Sequence, residues 1–523
     1  MSAHLTIISP GQMQRGTRVD WVAVGERPII GKDVLELLSS SMYVNVLSIY
    51  REYVQNAADA IDAARQMGVL GKEATGRVHI TIDQQQRAVR IRDNGSGLPR
   101  DQFVERLVAF GASKKRGSRA RGFRGVGRLA GLGYCQELIF RSKAADDAQV
   151  SELRWDCRKL KTLLRSQEYS DNLERIVSDI VTTRTLKDAG SPKRFFEVEL
   201  AGIVRHGNDV LMDGVAIGNY LSQVAPVPFA PEFSHREAIE DFVKAQINMG
   251  NVEIHINGAE RPIYRPHRSE FEVRKRVGDR FSDLELVTIP GSEGAVAAVG
   301  WVLHHGYLGA FPHNSTIKGL RLRAGNMQIG EADLLDEIFP EPRFNSWVVG
   351  EVHILDERIL PNGRRDQFEQ SVHFRNVLSK LSPLARDLGR RCRASSIRRN
   401  WVRQFERGVS FIKDRQAILR QAAVSQSRRT KVKDDILDCA GKLEKIASLP
   451  VLDTKTRSAC HKRLLNLKVR LPQLFDSRSQ HEKLKRFRGP RRRFIQKLID
   501  IVYETTENQT AARALTEKIM RRL

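Results

Sequence analysis

The stretch "YREYVQNAADAIDAAR", residues 50–65, places Glu52, Asn56 and Asp59 at spacings of four and then three. On a helix those spacings bring all three side chains onto one face. The alanines around them favour helix and leave room beside it. A face that gathers a carboxylate, an amide and a second carboxylate has the donors to hold a metal ion and a water. The same three residues would also suit the wet side of a surface helix, so the segments that follow have to separate the two readings.

Immediately downstream, "RVHITIDQQQRAVRIRDNGSGL" (77–98) alternates Val78, Ile80 and Ile82, then Val89 and Ile91, the period-two pattern of a strand hairpin. It ends in Asp93-x-Gly95-x-Gly97. A carboxylate at a strand end can accept a hydrogen bond from an exocyclic amino group, and the glycines let backbone approach a flat ring. "GASKKR" (111–116) then offers Ser113 and Lys114 to phosphate oxygens. "GFRGVGR" (122–128) supplies Gly122-x-x-Gly125-Val126-Gly127, a loop able to turn successive N–H groups toward an anion. Residues 98–128 lack apolar periodicity and are rich in Gly and Arg, as expected of a mobile lid. The chain has no G-x-x-x-x-G-K-[ST], which excludes a Walker-type loop. The glycine motif also lies outside any βαβ unit, which counts against a dinucleotide site.

The order E-x-x-x-N-A-x-D-A, D-x-G-x-G, G-x-x-G-x-G within about 75 residues resembles the gyrase, heat-shock chaperone, histidine kinase and MutL ATPase superfamily. That resemblance implies an α+β architecture, the Bergerat-fold α/β sandwich, with ATP under a flexible lid. It implies Glu52 as general base for the attacking water, Asn56 as ligand of Mg²⁺, and Asp93 as acceptor of the adenine amino group. Asp59, Gly95 and Gly97 would lie around the nucleotide. Ser113, Lys114 and the loop Gly122, Gly125, Val126 and Gly127 would meet its phosphates. Histidine kinases lack the acid in the base role, so Glu52 argues for hydrolysis over phosphate transfer. The glycine-threonine turn usual before a late strand of this domain is missing from "SPKRFFEVEL".

A second resemblance lies at "VVGEVHILDERILPNGRRDQFEQ" (348–370), which is similar to the middle domain of heat shock protein 90 chaperones. There a leucine-proline-asparagine stretch leads to an arginine that reaches the γ-phosphate. By that match the arginine is Arg365, with Arg364 as the substitute. A cation delivered late would stabilise charge that develops in the transition state.

The remaining chain sets the frame. Its 523 residues suit about three domains. The pattern predicts an ATP-binding domain over 1–205, with further strands at "YCQELIF" and "RFFEVELAGIV", and a middle α/β domain over 206–375, including "NVEIHING". A basic all-helical region follows over 376–523, with an apolar stripe Ile397, Trp401, Phe405, Ile412 fit for a core or a dimer seam. The chain totals 87 Lys+Arg and 62 Asp+Glu, of which residues 386–523 hold 36 and 14. The excess of +22 sits there, while the first three quarters are nearly balanced. Such concentration suggests an acidic partner, DNA or RNA above all. Heat shock protein 90 chaperones are acidic, so this tail departs from them. Five scattered cysteines without a C-x-x-C pair argue against zinc and disulfides. With no apolar leader or 18-residue apolar run, a cytoplasmic chain without membrane spans is expected. The resulting expectation is an Mg-ATP-dependent clamp that dimerises at least transiently and remodels protein clients. Its rival is a nucleic-acid-associated ATPase acting in repair, chromosome handling or defence.

Overall fold

The structure, a computed structural model, describes residues 45–109, 127–166, 173–187, 190–205, 207–274, 276–420, 426–469, 471–472, 487–506 and 509–523. Of the expected site residues, Ser113, Lys114, Gly122, Gly125 and Val126 lie outside the described residues, as do most of the expected lid and the first part of the expected opening helix.

Helix α1 (Ser48–Gln66) has no side-chain cap at its start. Burial holds it instead: Ile49, Val54, Ala57, Ala58, Ile61 and Ala64 all face inward. They pack on a seven-stranded sheet. Its strands are β1 (Arg77–Asp83), β2 (Ala88–Asp93), β3 (Glu137–Lys143), β4 (Val150–Asp156), β5 (Val181–Leu186), β6 (Phe195–Ala201) and β7 (Glu253–Ile256), in the order β5-β4-β3-β6-β2-β1-β7. The expected hairpin is β1 and β2, paired Val78 to Asp93. Helices α2 (Arg100–Val108), α3 (Cys157–Arg165) and α4 (Leu173–Ile180) complete the covering layer.

Alternation decides what each face does. Val78, Ile80, Val89, Ile91, Leu138, Phe140, Leu153 and Val198 form the buried face. The opposite face carries an ion-pair lattice: Arg90 to Glu199 at 2.9 Å, Arg92 to Glu197 at 2.7 Å, and Arg141 to Glu152 and Glu197 at 2.7 and 2.9 Å. Opposite charges across neighbouring strands let that face stay wet without opening an apolar patch.

Strand β7 corrects the expected domain border at residue 205. "NVEIHING" was assigned to the middle domain, yet β7 joins the first sheet, parallel to β1, with Ile80 opposite Ile256. Helix α5 (Gly214–Val224) also packs Ile217 and Leu221 into the first core. The reason is burial: Val252 and Ile254 find an apolar edge beside β1, which no local pattern could announce.

Beyond α6 (Arg236–Lys244) and the hairpin β8–β9 (Glu270–Arg274, Val277–Arg280) lies a five-stranded sheet in the order β10-β11-β14-β12-β13. Its strands are β10 (Asp283–Pro290), β11 (Val296–His304), β12 (Gly319–Ala324), β13 (Met327–Ile329) and β14 (Val349–Ile354). This is the expected middle α/β region. Helix α7 (Val372–Leu419) then runs 48 residues, roughly 70 Å at 1.5 Å per residue. Its first half buries Phe374, Val377 and Leu388 in the middle core, and its second half buries Phe405, Val409 and Ile412 in a helical core. Helices α8 (Gln426–Ala447), α9 (Thr454–Val469), α10 (Gly489–Thr505) and α11 (Gln509–Arg522) close that core. Phe405 and Ile412 are buried there and Trp401 packs against them, whereas Ile397 is exposed. Among the described residues, no helix is long and apolar enough to cross a membrane.

Candidate functional site

Helix α1 brings its polar side chains together as the spacing predicts. Glu52 and Asp59 are buried and Asn56 is half-buried. Asp93 ends β2 on the same alternation as Val89 and Ile91, so it faces the helix layer. The turn after it packs directly on α1: Ser96 N donates to Ala60 O at 3.1 Å, and Gly95 N donates to Asp93 Oδ1 at 2.8 Å. A Cβ on Gly95 would fall 2.7 Å from the Ala60 backbone. Gly97 has φ +68°, and a Cβ there would meet Lys143 O at 2.2 Å. Both glycines are therefore needed for this approach.

Asp93 is a buried carboxylate whose burial holds its pKa up to about 7, against the Gly95 amide and the Arg194 charge. A group so placed favours a ligand that donates a hydrogen bond. Gln55 Oε1, one residue before Asn56, is also buried without a described partner. A buried acceptor without a partner suits a polar ligand beside α1.

Gly127, the last glycine of the expected phosphate loop, lies against the Glu52 carboxylate: a Cβ there would sit 2.3 Å from Oε2. The chain that follows is pinned to α1, since Gly131 N donates to the Tyr53 hydroxyl at 2.9 Å. Arg128 donates to Ala109 O, so the described residues on either side of 110–126 are tied together. Burial pulls the Arg128 guanidinium down to about 10.

The middle region reaches the same point. Arg365 Nε lies 3.3 Å from Glu52 Oε1. Arg365 is buried, whereas Arg364 is exposed. The loop that presents it is over-determined. Arg365 N donates to Asn362 O at 3.2 Å, and Gly330 N donates to Arg365 O at 2.9 Å. Pro361 and Phe368 bridge across its base. That framework holds Arg365 at φ +58°, a left-handed conformation unfavourable for a non-glycine residue.

Sequence reasoning missed Arg51. Its guanidinium donates to Arg364 O at 2.9 Å and lies 3.3 Å from Glu52 Oε1. It thus ties α1 to the arginine loop 313 residues away. The available signal was an arginine inside an otherwise buried helical window. Among the described residues, no three His, Cys, Asp or Glu side chains converge as a metal site, so any cation here would depend on Asn56 together with ligand oxygens.

A family model described as histidine kinase-, DNA gyrase B- and HSP90-like ATPase matches residues 45–182. The chaperone protein HtpG of Enterobacter sp. (strain 638) is 28% identical over 142 residues, 24% of this chain and 23% of that protein. HtpG of Helicobacter pylori is 26% identical over 134 residues, 22% of each chain. HtpG of Dechloromonas aromatica is 31% identical over 124 residues, 21% of this chain and 19% of that protein. The match therefore spans about a quarter or less of these relatives. It covers α1, the D-x-G-x-G turn and the Glu52–Gly127 contact. The segment 45–182, with α1 and strands β1 to β4, is thus similar to the histidine kinase-, DNA gyrase B- and HSP90-like ATPases.

Proposed function

We propose that this chain hydrolyses ATP, with the nucleotide held between α1 and the β2 turn and cut with the help of the middle region. The carrying observation is the convergence of Glu52, Gly127 and Arg365, three residues from three distant segments, at one buried point. Glu52 takes the proton of the attacking water, a role worth on the order of 10²–10⁴-fold. Asp93 accepts from the adenine amino group, in keeping with a buried acid whose burial outweighs the charges around it. Asn56 would hold Mg²⁺ together with the nucleotide, and the ion would supply neutralisation of phosphate charge. Arg365 offsets charge on the γ-phosphate as the bond to it breaks, and Arg51 steadies the loop that delivers it.

The coupling of two regions at one bond suits a conformational clamp. Relatives named chaperones suggest protein partners as the object of its motion, with two copies pairing transiently. Steady-state phosphate release tests the chemistry. Glu52→Ala should keep ATP affinity within a few-fold and lower kcat by on the order of 10²–10⁴-fold. Arg365→Ala should lower kcat by about 10²-fold with affinity nearly unchanged. Full turnover in Glu52→Ala would remove the base assignment.

A further inference from the structure

The C-terminal helices close their core without their cations. Phe405, Val409, Ile436, Leu443, Leu464 and Ile499 fill it. Several acids of the region are already engaged: Glu406 with Arg463, Glu444 with Lys468, Asp435 with Arg415 and Asp453 with Arg398. The surplus of positive charge is therefore left at the surface.

That surplus is not evenly spread. Helices α10 and α11 are joined by three residues and pack on each other, so they run antiparallel. The start of α10 thus lies beside the end of α11. Arg488, Arg491 and Arg493 at the start of α10 and Lys518, Arg521 and Arg522 of α11 are placed toward this end, all of them exposed, with Glu517 as an acid among them. Asp500 and Glu504 lie toward the other end of α10. The most exposed large apolar side chain among the described residues of the hairpin stands between these cations: Phe494 is 68% exposed, ahead of Ile501, Leu515 and Leu523. Arg491, Phe494 and Lys497 recur every three residues along one exposed stripe, opposite the buried Ile495, Ile499 and Tyr503. Cations beside an open aromatic ring match a strand of phosphates with unstacked bases. A base can stack on the ring while guanidinium groups hold the backbone. A paired duplex would leave the ring without a base face to meet.

We propose that the cationic end of the α10–α11 hairpin docks single-stranded nucleic acid, with phosphates on Arg491, Arg493 and Arg521 and a base on Phe494. Fluorescence anisotropy of the full-length chain with labelled oligo-dT and oligo-rU, the matching duplex and phosphatidylserine vesicles tests this at two salt concentrations. Either single strand should bind more tightly than the duplex or the vesicles, and affinity should fall steeply with salt. Phe494→Ala should weaken binding about five- to hundredfold. The triple variant Arg491→Glu/Arg493→Glu/Arg521→Glu should lose at least about tenfold and flatten the salt dependence. Lys442→Glu/Lys455→Glu/Lys462→Glu, the same charge change on exposed residues of α8 and α9, should stay within a few-fold. Circular dichroism on each variant checks that the helices remain folded. Absent binding at low salt, equal binding of duplex or vesicles, an unaffected Phe494→Ala, or an equally damaging control triple would each overturn the proposal. No nucleotide turnover enters the readout, so its failure leaves the ATPase reading standing.

Discussion

Two buried carboxylates in this molecule have opposite fates. Asp93, beside α1, has burial as its dominant influence, and its pKa is held up to about 7. Glu351, on β14, is equally buried, yet the guanidinium groups of Arg265 and Arg323 outweigh that burial and hold it well below the ordinary carboxylate range. Arg323 Nε lies 2.7 Å from Glu351 Oε1, and Arg265 is bonded to the other oxygen. The same two arginines reach the chain leaving α5. Arg265 Nε donates to Val227 O at 3.1 Å, and Arg323 Nη2 donates to Gln223 O. Glu351 thus neutralises the bolt between the first and middle regions. A buried charge ion-paired with two permanent partners is architecture, whereas one whose burial outweighs a backbone amide and the Arg194 charge is prepared for something that comes and goes.

The largest expected effect falls on the bolt. Glu351→Gln leaves two buried guanidinium groups without their counter-charge, which should cost about 3–5 kcal/mol and appear as a large drop in melting temperature. If melting were unchanged, the contrast with Asp93 would collapse. Asp93→Asn should act the other way round. ATP affinity should fall at least about 100-fold by calorimetry, roughly 2.7 kcal/mol, while the fold holds.

A pH series sharpens the same contrast. An unfolded aspartate releases its proton near 3.8, but native Asp93 keeps it to about 7. Between those values the native state binds the extra proton. Its contribution to stability is therefore full below 3.8 and declines as pH rises toward 7, by at most roughly 1.4 kcal/mol per unit. The wild-type melting temperature should fall more across that window than that of Asp93→Asn. Equal slopes would show that Asp93 does not hold the proton. Gly127→Ala should have the mildest effect. Its Cβ would displace the end of the Glu52 side chain, lowering kcat by about tenfold with unchanged ATP affinity.

Spacing made α1 and its polar face legible, because three- and four-residue intervals have one geometric meaning on a helix. Alternation made β1 and β2 legible, and it carried Asp93 to the buried side with Val89 and Ile91. The border at residue 205 failed because β7 is recruited by an edge whose paired residues lie 176 positions earlier, and a four-residue strand carries no label of its sheet. Arg365 was reachable by resemblance, but its left-handed backbone and its contact with Glu52 were not. Arg265 and Arg323 belong to no motif, and what they and Arg51 hold is defined only by the partners that bury them.

Local order thus specified which residues share a helical or strand face, where the turns need glycine, and which quarter of the chain holds the surplus charge. These are short-range matters, settled by backbone period and side-chain size. Which distant segments meet at Glu52, which strand completes the first sheet, and which buried charges are matched arose from long-range packing. Burial changes the worth of every charge, and it exists only once the chain has folded back on itself.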